Sequence, residues 1–279
     1  MDEATDQAFT KGPTLNNGAT MPWLGLGVYK VWDADEALRA VSTAIAAGYR
    51  SIDTASMYQN EEAVGRAIRE CGLPRRELFV TTKLWNTDQG YESTLRAFEA
   101  SRQRLGLEYI DLYLVHWPVP GKYRETWRAM AHLYREGNAR GIGVSNHQIP
   151  HLIAIIEDTG VTPAVNQIEL HPLLTQKDLL QFAREQGIQP EAWRPLMGGN
   201  LDLPLLKQLA EKYGRTTAQI ALRWSMQNGV VVIPKSVHEE RIRENSQIFD
   251  FELDDEDLAA IDGLNENRRF GPDPDHVNF

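Results

Sequence analysis

The sequence predicts an α/β fold, a (β/α)8 TIM barrel with an N-terminal β-hairpin and a C-terminal loop over the barrel mouth. The chain has 279 residues, 42% of them hydrophobic, and an α/β barrel of about 250 residues often forms a single domain. Short apolar runs alternate with longer amphipathic stretches about eight times, without a break in composition. A strand followed by a helix, repeated eight times, favours a closed barrel over an open doubly wound sheet.

The chain begins with a predicted flexible arm, residues 1–13, and continues as a single barrel domain, residues 14–279. The Asn-Gly pair in "TLNNGATMPWLGLG" is typical of a β-hairpin ahead of the barrel. The eight strands are expected in "WLGLGV", "YRSIDTA", "ELFVTTKLW", "IDLYLVHW", "ARGIGVSN", "AVNQIEL", "GIQPEAW" and "VVVIPKS".

Helices are expected between the strands, in stretches such as "DADEALRAVSTAIAAG" and "TQKDLLQFAREQG". Their apolar residues recur at three-to-four spacing, and a glycine stands at or just past the end of each. The tail "NENRRFGPDPDHVNF" is too rich in Pro, Asn and Asp to form another barrel element. It is long enough to fold over one end of the barrel.

Composition argues against several classes of partner. There are 29 basic and 39 acidic residues, a net charge of -10, and no long basic run, so nucleic acid is not expected to bind. The single cysteine, Cys71, excludes an internal disulfide and fits a reducing compartment. No signal-like or membrane-length apolar stretch occurs. We therefore expect a soluble cytoplasmic protein with no membrane partner.

Several familiar motifs are incomplete. "GLGVYK" and "GIGVSN" lack the third glycine of the Rossmann motif, and "HEERI" has Ile242 where a zinc protease needs its second histidine. No G-x-S-x-G nucleophile elbow is found. His147 and His151 have helical spacing, but Pro150 lies between them. A surface role for this pair is favoured over a metal site, and no metal is predicted.

Polar side chains stand where the predicted second, third and fourth strands end. Asp53, Lys83 and His116 occupy these ends, and Tyr58 lies in the loop after Asp53. In a closed barrel these ends converge on one mouth, which is where such barrels keep their chemistry. A nearby ammonium favours a phenolate. Asp53 would hold Lys83 in place, His116 would orient a carbonyl, and Tyr58 would donate a proton as hydride arrives.

Other interpretations of these residues are open. An Asp–Lys ion pair, a packed Tyr and a backbone-bound His are common structural features. A barrel lyase could use Lys83 for a Schiff base, although a paired and charged lysine is a poor nucleophile. A cofactor-binding barrel with poor turnover could act as a redox sensor.

Six segments, in order, resemble the aldo-keto reductase family: "GYRSIDTASMYQNEEAVGRAI", "LFVTTKLW", "DLYLVHWP", "GIGVSNH", "NQIELHP" and "IPKSVHEERIRENSQIFDFEL". The resemblance runs from about Thr14 to Phe279. The short connection "HWPVPGKYRETW" is most similar to the small bacterial branch, which includes 2,5-diketo-D-gluconate reductases and glyoxal or methylglyoxal reductases.

The resemblance implies NADPH-dependent carbonyl reduction, with NADPH extended across the barrel mouth and no Rossmann domain. It implies a catalytic tetrad of Asp53, Tyr58, Lys83 and His116, in which Lys83 lowers the pKa of the general acid Tyr58. The cofactor contacts that it implies are Ser145, Asn146 and Gln167 to the nicotinamide carboxamide, Trp193 on the nicotinamide ring, Leu196, Gly198 and Gly199 near the pyrophosphate, Lys235, Ser236 and Arg241 at the 2′-phosphate, and Glu244 and Asn245 at the adenine.

The contacts implied at the 2′-phosphate also have a physical basis in the sequence. "PKSVHEER" places two cations and a hydroxyl beside a predicted helix N-terminus, a pattern that favours an anion site and hence NADPH over NADH. Some relatives carry another arginine where this chain has His238. The histidine would soften the preference for NADPH. Arg194 replaces a serine of related chains, and it would either bind the diphosphate or point outward. Pro190 is expected at the start of its strand.

Aromatic residues of the mouth loops, Tyr29, Trp85 and Trp117, are expected to line the substrate pocket together with the tail. Core packing is the alternative for each tryptophan. Such a pocket suits small aldehydes, α-dicarbonyls, keto sugars or keto acids. The barrel needs no partner subunit, so a monomer is predicted.

Overall fold

The computed structural model describes residues 9–276, and it contains one parallel sheet whose eight strands follow each other in chain order. The strands are β1 Gly25–Gly27, β2 Ser51–Asp53, β3 Phe79–Leu84, β4 Leu112–Val115, β5 Ile142–Ser145, β6 Val165–Glu169, β7 Gln189–Trp193 and β8 Val231–Val232. Parallel bridges from Leu24 to Val232 and from Gly27 to Lys235 join the last strand to the first. The predicted (β/α)8 barrel is confirmed, with one strand in each predicted run.

Helices surround the sheet. They are α1 Ala34–Ala46, α2 Glu61–Glu70, α3 Tyr91–Leu105, α4 Tyr123–Arg135, α5 Ile149–Thr159, α6 Lys177–Glu185, α7 Pro204–Tyr213, α8 Thr217–Gln227, α9 Glu239–Ser246 and α10 Asp255–Asp262. Side chains cap some of them: the Asp33 carboxylate accepts the N–H of Glu36 at α1. The helices within residues 9–276 are all too short or too polar to span a membrane.

The N-terminal hairpin closes the bottom of the barrel. Thr14 and Thr20 form an antiparallel bridge, and the N–H of Leu15 donates to the carbonyl of Ala19 at 2.8 Å. Buried Leu15 and Met21 pack in one cluster with residues that begin strands, including Phe79. This arrangement confirms the hairpin prediction.

Residues 1–8 of the predicted arm lie outside the described part of the chain. Within residues 9–13, Phe9 is buried, and its ring centroid lies 5.2 Å from that of Phe249 and 6.2 Å from that of Tyr49. This end of the arm therefore packs against the barrel.

The C-terminal tail covers part of the barrel mouth, as predicted. The N–H groups of Glu266 and Arg268 donate to the carbonyl of Leu173. Farther along, the N–H groups of Phe270 and Gly271 donate to the buried carboxylate of Glu169 at the end of β6, at 2.8 and 3.1 Å. Residues 277–279 lie outside the described part of the chain.

Helix α2 follows the Tyr58 loop directly, and a close helix contact holds it. A Cβ atom added to Gly65 would lie 1.8 Å from the carbonyl oxygen of Leu105, the last residue of α3. Beside this contact, the Glu61 carboxylate accepts hydrogen bonds from Thr82 on β3, at 2.6 Å, and from Arg104 on α3, at 2.7 Å. The helix is thereby fixed to both neighbouring elements.

Replacing Gly65 by alanine should therefore destabilise the protein by about 1–3 kcal/mol, because the added methyl group has no space against the Leu105 backbone. Thermal unfolding checks this. Arg66→Ala is the matched control in the same helix, since that exposed side chain only pairs with Glu70. Equal melting temperatures for the two variants would contradict the close contact.

Candidate active site

The three residues singled out at the strand ends and Tyr58 come together in the structure. Asp53 ends β2, Lys83 is the penultimate residue of β3, His116 follows β4, and Tyr58 ends a 3₁₀ turn, Ser56–Tyr58. All four are buried. The Lys83 ammonium lies 2.5 Å from Asp53 Oδ1 and 5.1 Å from the centroid of the Tyr58 ring. The Tyr58 and His116 ring centroids are 5.8 Å apart.

The turn that carries Tyr58 is fixed by a residue that the sequence reasoning missed, Asn60. Its side-chain amide donates to the carbonyls of Val28 and Val31 in the loop after β1, each at 3.0 Å. Its Oδ1 accepts the Thr54 hydroxyl at 2.6 Å. Asn60 therefore ties the Tyr58 turn to the neighbouring loop. In the sequence, the sign of this role is an asparagine two residues after the tyrosine. Such an asparagine resembles an ordinary helix cap.

The Asp53–Lys83 ion pair is completely enclosed. Besides Asp53, the ammonium donates to the carbonyl of Thr54 at 2.9 Å. Burial raises the pKa of Asp53, while the charge of Lys83 and hydrogen bonds from Lys83 and Gln167 act in the opposite direction. Because a buried charge without a partner is very costly, each member of the pair depends on the other.

The pKa of Tyr58 is raised well above its ordinary value, first by burial and then by the negative charge of Asp53. The net shift is therefore opposite to the lowering expected from Lys83. The physical reason is that the Asp53 carboxylate, 2.5 Å from the ammonium, offsets part of its charge, so desolvation of the phenolate dominates. Tyr58 is held as the neutral phenol, the form that can donate a proton.

His116 is held as the neutral imidazole. Burial and then the charge of Lys83 lower its pKa well below the ordinary value. The ring of Trp85 meets it edge-on with centroids 5.1 Å apart, and the Asn146 amide donates to its backbone carbonyl at 3.0 Å. A neutral imidazole can still donate one N–H hydrogen bond.

A further buried acid close to Asp53, Glu191 on β7, was also missed. The side-chain nitrogen of Gln167 on β6 donates both to Glu191 Oε2 and to Asp53 Oδ2, each at 2.8 Å. Gln167 and Glu191 are direct neighbours in the sheet register. The signal in the sequence was an acid within the strand pattern "GIQPEAW".

The residues expected around a nicotinamide form one hydrogen-bonded group at the ends of β5 to β7. The Ser145 hydroxyl donates to the carbonyl of Gln167 at 2.8 Å. The Asn146 amide donates to Ser145 Oγ at 3.1 Å, and the Trp193 indole N–H donates to Asn146 Oδ1 at 2.8 Å. A Cβ atom on Gly271 of the tail would lie 2.4 Å from the Trp193 ring, so only glycine fits there.

The loop expected near the pyrophosphate is built from left-handed residues. Arg194, Gly198 and Gly199 have φ angles of 57°, 65° and 97°. The Arg194 guanidinium carbon lies 6.0 Å from the Trp193 ring centroid, and a Cβ atom on Gly198 would lie 3.8 Å from Arg194 Nε. Arg194 therefore folds over this loop. Leu196 packs on the core.

Nearby, Pro190 is the second residue of β7, which begins one residue earlier at Gln189. Its position agrees with the expectation that proline stands near the start of the strand.

The basic segment after β8 presents its cations to solvent. Lys235 and Arg241 are exposed, whereas Ser236 is buried and its Oγ accepts the N–H of His238 at 3.1 Å. His238 is the residue before helix α9.

The two residues expected at the adenine lie on α9. The Glu244 carboxylate accepts the Thr216 hydroxyl at 2.9 Å, and Asn245 is buried.

The pair His147 and His151 differs from its predicted surface role. His147 is fully buried, with Nδ1 2.9 Å from the carbonyl oxygen of Ser145, and burial lowers its pKa to about 3. Its ring packs on Tyr123 and His151, with centroids within 6 Å of each. Within residues 9–276, no group of three or more His, Cys, Asp or Glu residues could hold a metal ion.

Aromatic residues surround the cluster. The Tyr29 ring lies 5.0 Å from the Tyr58 ring and is 40% exposed. Trp85 contacts His116, while Trp117 is buried. Trp32, which the sequence reasoning did not select, follows Tyr29 closely in the chain and is 57% exposed.

The model of the aldo/keto reductase family matches residues 23–266. The chain belongs to the aldo-keto reductase family. It is 56% identical over 266 residues to the glyoxal reductase of Bacillus subtilis, covering 95% of this chain and 96% of that protein. It is 48% identical to the methylglyoxal reductase DkgA of Salmonella typhimurium, with coverage of 94% and 96%. Gox0644, solved as a variant in complex with NADPH, superposes with a TM-score of 0.92 at 45% identity, covering 97% and 99%.

Membership of the aldo-keto reductases confirms the predicted enzyme class, an NADP-dependent oxidoreductase, with NADPH as its cofactor. The residues of the chain fit that cofactor. Exposed Lys235 and Arg241 beside a helix N-terminus suit a phosphate. At the loop after β7, a Cβ atom on Gly199 would meet no atom within 4 Å, so there is open space beside the left-handed backbone.

Proposed function

We propose that this aldo-keto reductase reduces aldehydes and ketones to alcohols with NADPH, using Tyr58 as the general acid. The observation that carries the proposal is the buried cluster in which a neutral phenol adjoins an enclosed Asp53–Lys83 pair and a neutral imidazole. Small aldehydes, α-dicarbonyls, keto sugars and keto acids are the proposed substrate classes. The names of the two relatives, glyoxal reductase and methylglyoxal reductase, favour α-dicarbonyls among them.

The roles of the four residues follow from their charge states. His116, as a neutral imidazole, donates a hydrogen bond to the carbonyl oxygen and orients it. Tyr58 donates its proton to the same oxygen while the carbonyl carbon receives hydride. The bound NADPH supplies that hydride. The phenolate left on Tyr58 is stabilised by the Lys83 ammonium, which Asp53 holds at 2.5 Å, until it recovers a proton.

The cofactor-binding roles are also proposals. Ser145, Asn146 and Gln167 would bind the carboxamide, and Trp193 would stack on the ring, since its N–H bond to Asn146 fixes the indole. Arg194 would meet the diphosphate together with Leu196, Gly198 and Gly199. Lys235, Ser236 and Arg241 would hold the 2′-phosphate, and Glu244 and Asn245 the adenine.

The substrate pocket is proposed to lie among Tyr29, Trp85 and Trp117. The contact of Tyr29 with Tyr58, and of Trp85 with His116, supports this location. Aromatic walls exclude water from the developing charge, which strengthens the hydrogen bonds made there.

The structure offers less support for the alternatives. A Schiff base would need Lys83 as a neutral nucleophile, yet its ammonium is fully buried and paired with Asp53. A redox sensor with poor turnover differs from a reductase only in its rate. The monomeric state, the cytoplasmic location and the lack of nucleic-acid or membrane partners stay predictions.

Replacing Tyr58 by phenylalanine should lower kcat/KM for methylglyoxal by about 10²–10⁴-fold, the usual contribution of a general acid. NADPH affinity, measured by quenching of tryptophan fluorescence, should stay within about twofold because the ring is retained. Tyr134→Phe, on the exposed side of α4, is the control and should behave as wild type. Near wild-type turnover in the Tyr58 variant would remove this residue as the acid.

Replacing Lys235 or Arg241 by alanine should raise the KM for NADPH about tenfold each, the loss expected for one charge-assisted hydrogen bond to phosphate. The KM for NADH should not change, because NADH lacks the 2′-phosphate. Arg243→Ala is the matched control on the same helix, since Glu239 already binds that guanidinium at 2.9 Å. A parallel rise for NADPH and NADH would contradict the assignment.

A further inference from the structure

One amide nitrogen joins two buried carboxyl groups inside the barrel. Gln167 Nε2 has two hydrogens, and one reaches Asp53 Oδ2 while the other reaches Glu191 Oε2, both at 2.8 Å. Asp53 is on β2 and Gln167 is on β6, so this bridge crosses the interior of the barrel. A side chain held at both hydrogens has little freedom to rotate.

The two carboxyl groups differ in their other partners. Asp53 binds the Lys83 ammonium through its remaining oxygen. The remaining oxygen of Glu191, Oε1, is buried and has no hydrogen-bond partner among residues 9–276. In the sheet register its neighbour on β8 is Val231, which is apolar.

The charges of Asp53 on β2 and Lys83 on β3 act on the pKa of Glu191. The charge of Glu191 in turn raises the pKa of Tyr58, in the turn after β2. Gln167 on β6 does not titrate. With only one cation in this set, two ionised carboxylates would leave an uncompensated buried charge. Asp53 holds the cation, so the proton belongs on Glu191. Burial and then the charge of Asp53 raise the pKa of Glu191 to about 8.

We propose that Glu191 is a positioning residue for carbonyl reduction: as a protonated acid it holds Gln167 against Asp53, and so keeps the Asp53–Lys83 pair aligned beside Tyr58. This inference rests on the proposed function. Glu191 acts through Gln167 and does not itself meet the reacting atoms.

Ionisation of Glu191 has a defined direction of effect. Below its pKa the group is neutral, and Asp53 and Lys83 form a single compensated pair. Above its pKa a second negative charge appears next to Asp53, which raises the pKa of Tyr58 further. A weaker acid donates its proton more slowly, so reduction should slow as the pH rises through about 8.

The test compares wild type with Glu191→Gln over this pH range, using methylglyoxal and saturating NADPH. The amide copies the shape of the protonated acid and cannot ionise. We expect kcat/KM of the variant to stay within about threefold of wild type at neutral pH, since its carbonyl still accepts the Gln167 hydrogen bond. The kcat/KM of wild type should fall by about three- to tenfold above the pH at which Glu191 ionises, and the kcat/KM of the variant should show no such fall.

Glu191→Met separates positioning from packing. Methionine has a similar volume and accepts the Gln167 hydrogen bond only weakly. Its kcat/KM at neutral pH should drop about tenfold, whereas the Gln variant should retain activity. Melting temperatures of both variants check that each is folded.

The ionisation can also be followed without turnover, by carboxyl ¹³C NMR of the cofactor-free protein. One glutamate carboxyl should titrate near 8 in wild type and be missing in Glu191→Gln. A Glu191 carboxyl that titrates in the ordinary acidic range, or a Gln variant with the same alkaline fall as wild type, would overturn the inference. Wild type with no carbonyl reduction at all would instead remove the proposed function, and this inference with it.

Discussion

The arrangement of the site depends on one interaction, the buried ion pair between Lys83 and Asp53. Moving two charges out of water costs several kcal/mol for each ion, and good geometry with further hydrogen bonds must offset that cost. Here the Thr54 carbonyl satisfies the ammonium, and the Gln167 amide satisfies the second carboxylate oxygen. The pair is thus held from several strands of a closed barrel, and it gives Tyr58 a fixed cation as its neighbour.

A closed parallel barrel is well suited to hold such a cluster. Its strand ends meet at one mouth, so side chains far apart in the chain come together without a dedicated binding domain. The loop contacts then complete the arrangement: Asn60 fixes the turn that carries Tyr58, and Glu169 holds the tail, whose Gly271 lies against Trp193. Rigid strands position the charged groups, and a few buried amides and carboxylates hold the loops in place.

The fold and the polar residues of its mouth were predictable from the sequence, because strand and helix patterns are local and the strand ends of a closed barrel meet at one mouth. The alternating pattern led to all eight strands, the Asn-Gly pair led to the hairpin, and the convergence of strand ends led to the four polar residues at the mouth. Three features were not predictable. The burial of His147, the two hydrogen bonds donated by Gln167 and the upward shift of the Tyr58 pKa depend on distances between strands and on desolvation. A sequence shows which charges are present, but not how closely they cancel or how much water they lose.

A turnover assay of the wild-type protein tests NADPH-dependent carbonyl reduction most directly. NADPH oxidation would be followed by absorbance with methylglyoxal, phenylglyoxal, a diketogluconate and benzaldehyde, and each assay would be repeated with NADH. Clear turnover with NADPH is expected on at least one α-dicarbonyl, and weaker turnover with NADH. Tight NADPH binding with no turnover on any of these substrates would contradict this expectation and favour a cofactor-binding sensor.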